Sequence, residues 1–85
     1  MSLTKQFIDT RELEHPEPMQ MAMKVLQSLD DNAYLYMLHK KKPLPLIDLA
    51  TENKFQVHTH EDNAQQWHIL IAKNTTLALS ELVDV

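Results

Sequence analysis

The side chains in this sequence with the clearest chemical potential are histidines, and they occur in two places. His15 stands in "LEHPEPM", residues 13–19, immediately before Pro16. His58, His60 and His68 stand in "FQVHTH" and "QWHILIA", two segments with the composition of strands. Imidazole can bind a metal, exchange a proton near neutral pH or hydrogen-bond a partner. The sequence therefore offers two candidate sites, and their positions depend on the fold.

His15 lies just before a predicted helix, whose N-terminus is a positive end that favours anions. The ring could ligate a metal, accept a proton or bind a partner, or it could simply cap the turn between strand and helix. Met19 and Met23 lie one helical turn apart and could line a partner groove beside His15. Met21 points elsewhere, because side chains two positions apart on a helix are separated by about 200°, so the three methionines cannot share one copper ion.

His58 and His60 alternate on one strand, and the hairpin register that buries the apolar residues of both strands places His68 on the same face. Three imidazoles on that face could bind zinc or copper, with Glu61 as a further candidate ligand. The alternatives are a polar sheet face and a pH-sensitive interface.

Two tyrosines add a further feature to the same face. Tyr34 and Tyr36 alternate along a predicted strand, so they share one side of the sheet. If they join the histidines, that face becomes a flat aromatic surface suited to protein contact.

The elements that must position these residues follow from periodicity and turn signals. We predict strands over residues 6–13, 33–40, 55–60 and 66–72, and helices from Pro18 to about Leu29 and from the "KPLPL" segment to Asn53. The order is β-α-β-α-β-β. Two such helices can cover only one face of a four-stranded sheet, so we predict a two-layer α/β sandwich whose other face is open to solvent or a partner.

Composition narrows the functional classes. The chain has 85 residues, no cysteine and a net charge of −4. The missing cysteine excludes disulfides and thiol nucleophiles, and the acidic balance argues against a nucleic-acid partner. Lys40, Lys41 and Lys42 form a solvated turn or an anion contact. No stretch approaches the roughly 18 apolar residues of a membrane span, and we expect a cytoplasmic protein.

Two further expectations concern turns and the end of the chain. Glycine is absent, so we expect Asn and Asp to occupy turn positions that need positive φ, near Asn53 and Asn63 for example. We divide the chain into a domain over residues 1–74 and an apolar tail over 75–85. That tail is either a docking or homodimerising segment or a simple packed end.

The segment "IDTRELEHPEP", residues 8–18, resembles the start of the TusA/SirA-like sulfur-carrier proteins, in which a strand leads through Cys-Pro-x-Pro into a helix. The matching residues are Ile8, Asp9, Arg11, Leu13, Pro16, Glu17 and Pro18. The resemblance covers about residues 6 to 74 and implies an α+β fold with two helices on one face of a four-stranded mixed sheet. His15 occupies the position of the persulfide-bearing cysteine, and imidazole cannot form a persulfide. The chain is therefore similar to a cysteine-less, uncharacterised branch of that fold, in which "PLPL", here residues 43–46, also occurs.

Three functional hypotheses follow. The first is a non-catalytic interaction or regulatory module that docks a protein partner near the start of the first helix. Its surface would comprise Asp9, Arg11, His15, Pro16, Glu17, Pro18 and Met19. The second is a metal- or redox-linked role for His15 or for His58, His60 and His68. The third, an enzyme with His15 as a base, has less support because the sequence offers no nucleophile, paired catalytic carboxylates or glycine-rich phosphate loop to act with it.

Overall fold

The computed structural model describes residues 3–73 and 78–84. Its elements, in chain order, are β1 (Thr4–Asp9), α1 (Glu17–Gln27), β2 (Ala33–His39), α2 (Leu44–Glu52), β3 (Gln56–Glu61), β4 (Trp67–Ala72) and a 3-10 helix (Leu79–Leu82). This confirms the predicted β-α-β-α-β-β order. None of the helices within these residues has the length and apolar character needed to cross a membrane.

The four strands form one mixed sheet in the order β1-β2-β4-β3. β1 runs parallel to β2, whereas β4 is antiparallel to both β2 and β3. β1 and β2 therefore end at the same edge of the sheet, where Asp9 lies opposite Leu38. The loops that leave these two strands are neighbours for the same reason, and this edge carries the candidate site.

Both helices pack on one face of the sheet, the helix face, as the α+β prediction requires. α1 buries Pro18, Ala22 and Leu26, which recur every fourth residue and so form one stripe along the helix. α2 buries Leu46 and Ala50 with the same spacing. The sheet side of this core consists of fully buried Leu35, Met37, Ile69 and Ile71.

The opposite face, predicted to be open, is partly covered by the end of the chain. Residues 78–84, the C-terminal strap, lie over it and bury Leu79 against a second core cluster. That cluster, the strap face, comprises Tyr34, Tyr36, Leu70 and Ala72. Residues 75–77 and 85 of the tail lie outside the described residues.

The strap corrects the expectation of an exposed aromatic surface. The two tyrosines do share a face with the histidines, but only 6% of Tyr34 and 1% of Tyr36 is exposed. The rings are buried because the apolar strap residues and the tyrosine side chains remove each other from water.

β1 is shifted relative to the sequence prediction, because it begins at Thr4 and ends at Asp9. The chain turns at Thr10, which is fully buried. Its backbone N–H and its hydroxyl both donate to the carbonyl oxygen of Leu38, at 2.9 and 2.7 Å. These bonds end the strand and direct the next residues over the sheet edge.

The turns without glycine fall where we expected them, but the positive φ angles belong to different residues. Lys54 has φ 66° and Gln65 has φ 64°. Asn53 instead donates from its side chain to the carbonyl of Leu49 and ends α2. Asp62 accepts backbone N–H bonds in the β3–β4 turn. Asn53 and Asp62 therefore build these turns through side-chain hydrogen bonds, whereas Lys54 and Gln65, later in the same turns, take the left-handed backbone.

Candidate functional site

The candidate site lies at the sheet edge where β1 and β2 end. His15 belongs to the loop between β1 and α1, and Lys41 and Lys42 belong to the loop between β2 and α2. Parallel neighbouring strands send their following loops from the same edge. The topology therefore brings together two segments that are about 25 residues apart in the sequence.

A cavity of about 180 Å³ opens between the starts of α1 and α2. Its buried floor consists of Pro18, Met37 and Leu46. The more exposed lining residues are His15, Met19, His39, Lys41, Lys42, Pro43 and Pro45. Small-molecule sites in proteins usually measure about 300–1,000 Å³. This cavity is below that range and suits one apolar side chain better than a cofactor.

His15 is exposed at the mouth of this cavity and precedes a cis peptide bond to Pro16. The N-cap of α1 is Pro16, and no side-chain hydrogen bond caps the helix. The described part of the chain also offers no hydrogen-bond partner for the His15 ring. The geometry therefore does not show His15 capping the helix, and its roles as a metal ligand, a proton acceptor or a partner contact stay predictions.

His39 is a second cavity residue, and the sequence analysis did not single it out. Its Nδ1 lies 3.1 Å from Thr10 Oγ1 and 3.2 Å from the Thr10 carbonyl oxygen. Because the Thr10 hydroxyl proton already goes to Leu38, the hydrogen-bond pattern assigns the imidazole proton to Nδ1. A neutral ring then keeps Nε2 as an acceptor. His39 is the last residue of β2, which runs parallel to the strand that leads to His15. This position could have indicated that the two rings lie at the same edge.

The three lysines at this edge have different surroundings. Lys40 forms an ion pair with Glu14 at 2.6 Å, and this bond lowers the pKa of the Glu14 carboxyl. The Lys42 ammonium lies 5.5 Å from the centroid of the Trp67 ring, within cation–π range. Lys41 has no ion pair within the described residues. Of the two lysines that line the cavity, Lys41 can therefore pair with an incoming anion without giving up a contact such as that of Lys42 with Trp67.

Asp9 and Arg11 form the ion pair that their spacing suggested, although Arg11 lies beyond the end of β1. Arg11 Nε and Nη2 donate to the two carboxylate oxygens of Asp9 at 2.8 and 2.7 Å. These bonds lower the pKa of Asp9. Arg11 Nη1 donates to Gln66 Oε1 at 3.0 Å. The pair thereby links the loop that carries His15 to the β3–β4 turn.

The three strand histidines share one face, as the register predicted. His60 lies opposite His68, with ring centroids 6.1 Å apart, and His58 lies opposite Leu70. In the described residues, no group of three His, Asp or Glu side chains is arranged to hold a metal ion. Both nitrogens of His68 already contact protein atoms. The zinc or copper hypothesis stays a prediction that this arrangement does not favour.

His68 instead belongs to a buried chain of hydrogen bonds that the sequence analysis missed. Its Nε2 lies 2.8 Å from Asp62 Oδ2, and its Nδ1 lies 2.6 Å from the Tyr36 hydroxyl oxygen. The Asp84 backbone N–H donates to that hydroxyl oxygen at 2.8 Å. The bond to His68 lowers the pKa of Asp62, whereas burial raises the pKa of Tyr36. An ionised Asp62 accepting from Nε2–H, and Tyr36 donating to Nδ1, satisfy every group.

Comparison with known proteins adds a family. The family model described as "Uncharacterized conserved protein (DUF2249)" matches residues 7–73. The chain belongs to this family. The DUF2249 match includes both loops at the candidate site, the last three residues of β1 and all of β2, β3 and β4, and its description names no activity. Searches of curated proteins and of solved structures found no match. This membership confirms that the chain is a domain of unknown function, whereas its kinship to the sulfur carriers stays a prediction.

Proposed function

We propose that this protein is a non-catalytic interaction or regulatory module of TusA/SirA-like fold that docks a protein partner at the cavity beside His15. The motif resemblance supports this: His15 stands where the sulfur carriers have their cysteine, between the same strand and the same proline-led helix. The chain has no cysteine, so a persulfide cannot form on it. The docking position is retained while the sulfur chemistry is lost. As expected from the sequence, the location we propose is cytoplasmic.

The observation that carries the proposal is the cavity itself. An apolar floor of Pro18, Met37 and Leu46 lies below a mouth that contains His15 and Lys41. At about 180 Å³, it can take one large apolar side chain. Desolvated pockets of this kind are where protein interfaces place their anchor residues. The proposed partner segment therefore presents one apolar anchor to the floor.

Charge indicates what should stand beside that anchor. The chain as a whole carries a net charge of −4, yet Lys41 and Lys42 are both at this cavity. A carboxylate next to the anchor would meet the unpaired Lys41, and local complementarity of this kind speeds association and selects the partner. We therefore propose a partner segment with an apolar anchor followed or preceded by an acidic residue.

The test is a selection of random peptides displayed on phage against the full-length protein. We expect the selected peptides to share one apolar residue beside an acidic one. Their addition to isotope-labelled protein should shift the NMR signals of His15, Met19 and His39. Peptides that lack this pattern, or that shift only signals of the strap face, would contradict the proposal.

Variants with matched controls complete the test. Met19→Asp places a carboxylate in the apolar wall of the cavity and should weaken the selected peptide at least about tenfold, or about 1.4 kcal/mol. Lys41→Glu should weaken it by a similar factor and more strongly at low salt. Met21→Asp and Lys24→Glu make the same two changes at exposed positions outside the cavity lining, and we expect no more than a twofold change. Equal losses in both sets would indicate a general effect and not this site.

A further inference from the structure

The imidazole of His39 is fixed in one orientation and one tautomer by the strand end beside it. Its Nδ1 lies 3.2 Å from the carbonyl oxygen of Thr10. Because a carbonyl oxygen can only accept a hydrogen bond, the proton of the neutral ring is on Nδ1, and Nε2 carries a lone pair. The fold therefore presents Nε2 as a hydrogen-bond acceptor before any partner binds.

This acceptor is accessible at the cavity beside His15. Both hydrogen-bond contacts of the His39 ring within residues 3–73 and 78–84 are made by Nδ1 to Thr10. Across these residues, no buried side-chain nitrogen or oxygen lacks a partner, so Nε2 is open to solvent. The ring lines the cavity, and Nδ1 is occupied. Nε2 is therefore the atom through which His39 can hydrogen-bond an occupant of the cavity.

The other described side chains of the lining do not compete for this role. The apolar ones are three prolines, a leucine and two methionines, whose sulfurs accept hydrogen bonds only weakly. Lys41 and Lys42 can only donate. The His15 ring can accept, but it is exposed at the mouth, where water still reaches it. An occupant of the cavity would therefore remove water chiefly from His39 Nε2.

These properties restrict the kind of side chain that fits. A wholly apolar occupant would displace water from Nε2 and leave this acceptor without a partner, which weakens binding. The sulfurs of Met19 and Met37 favour an aromatic ring, since thioethers make attractive contacts with ring edges. Tyrosine and tryptophan combine a large apolar ring with one polar hydrogen, and both are enriched among the anchor residues of protein interfaces.

We propose that the partner's anchor in this cavity is a tyrosine or tryptophan side chain, which donates its polar hydrogen to His39 Nε2. This inference rests on the proposed docking function and names the chemistry of its anchor. His39 then determines specificity, because it distinguishes a ring with a polar hydrogen from a ring of similar shape without one. A leucine or phenylalanine anchor would satisfy the docking function but not this inference.

Four small probes test the inference on the full-length protein without a peptide. Para-cresol and skatole reproduce the two side chains, and toluene and N-methylskatole are their counterparts without a polar hydrogen. NMR titration at about pH 8, where imidazole side chains are neutral, gives each affinity. We expect para-cresol or skatole to bind at least about fivefold more tightly than its counterpart and to shift the His39 Nε2 signal, while the His58 ring signals stay unchanged. Equal binding within both pairs, or an unchanged Nε2 signal, would overturn the inference.

A variant and the selected peptides separate this inference from the docking function. His39→Phe keeps a ring but removes the acceptor, so the preference for the probe with a polar hydrogen should disappear; a preference that persisted in the folded variant would overturn the role of His39. Circular dichroism verifies folding, and if the variant does not fold, the Nε2 signal of the wild-type protein decides. Peptides that dock at the cavity through leucine or phenylalanine would overturn the inference and leave docking intact. If no peptide shifted the cavity signals, both would be overturned.

Discussion

Removal of the Tyr36 hydroxyl tests the buried hydrogen-bond chain. Tyr36→Phe keeps the ring in the strap face but deprives His68 Nδ1 of its partner at 2.6 Å. His68 is 5% exposed, so water cannot readily replace the lost bond. A buried polar group without a partner costs about 1–3 kcal/mol. Asp84 is exposed, so its backbone N–H can hydrogen-bond water once the hydroxyl is gone. The loss of that bond therefore adds little to the destabilisation. We expect the free energy of unfolding to fall by about 2 kcal/mol.

The matched control is Tyr34→Phe. Tyr34 lies in the same cluster and is 6% exposed, but its hydroxyl has no hydrogen-bond partner among the described residues. Its removal should change the free energy of unfolding by less than about 0.5 kcal/mol. Urea unfolding followed by circular dichroism measures both variants, and for a domain of this size about 2 kcal/mol corresponds to a lower Tm by about 8–16 °C. Equal values for the two variants would refute the proposed role of the network.

Three further predictions concern the carboxylates and the core. The hydrogen bond from His68 lowers the pKa of Asp62 in the folded protein, so the unfolded chain takes up the proton on this carboxylate first as the pH falls. Stability should therefore drop below about pH 5, and Asp62→Asn should flatten that drop in acid unfolding curves, whereas Asp31→Asn should not. Arg11→Lys should leave the free energy of unfolding nearly unchanged because the ion pair is exposed, while the Gln66 side-chain NMR signals should shift as their partner is lost. Leu35→Ala empties a fully buried site and should cost about 2–5 kcal/mol in urea unfolding, whereas an exposed Leu44→Ala should cost far less.

Local patterns were sufficient to predict much of the fold. Ala22, Val25, Leu26 and Leu29 recur at helical spacing after Pro18, and this pattern predicted α1. His60 and His68 face each other because the apolar alternation of their strands permits only one register. These predictions succeeded since each depends on neighbours in the sequence or on one hairpin.

The features that escaped prediction depend on contacts between distant residues. Lys41 and His15 line the same cavity because β1 and β2 are parallel, and the sequence of one strand does not reveal the direction of its neighbour. Tyr36, His68 and Asp84 meet only when the strap returns over the sheet. The alternation placed Tyr36 on the correct face, but it could not indicate which segment would cover it.

Docking at the cavity beside His15 can be tested by calorimetry with a selected peptide. The measurement compares its Kd for the wild-type protein, for His15→Ala and for His58→Ala. His15 is exposed, so its replacement should leave folding intact and act on binding alone. We predict that His15→Ala weakens the peptide about five- to tenfold, or about 1–1.4 kcal/mol, and that His58→Ala has no effect. An unchanged Kd in His15→Ala would contradict the claim.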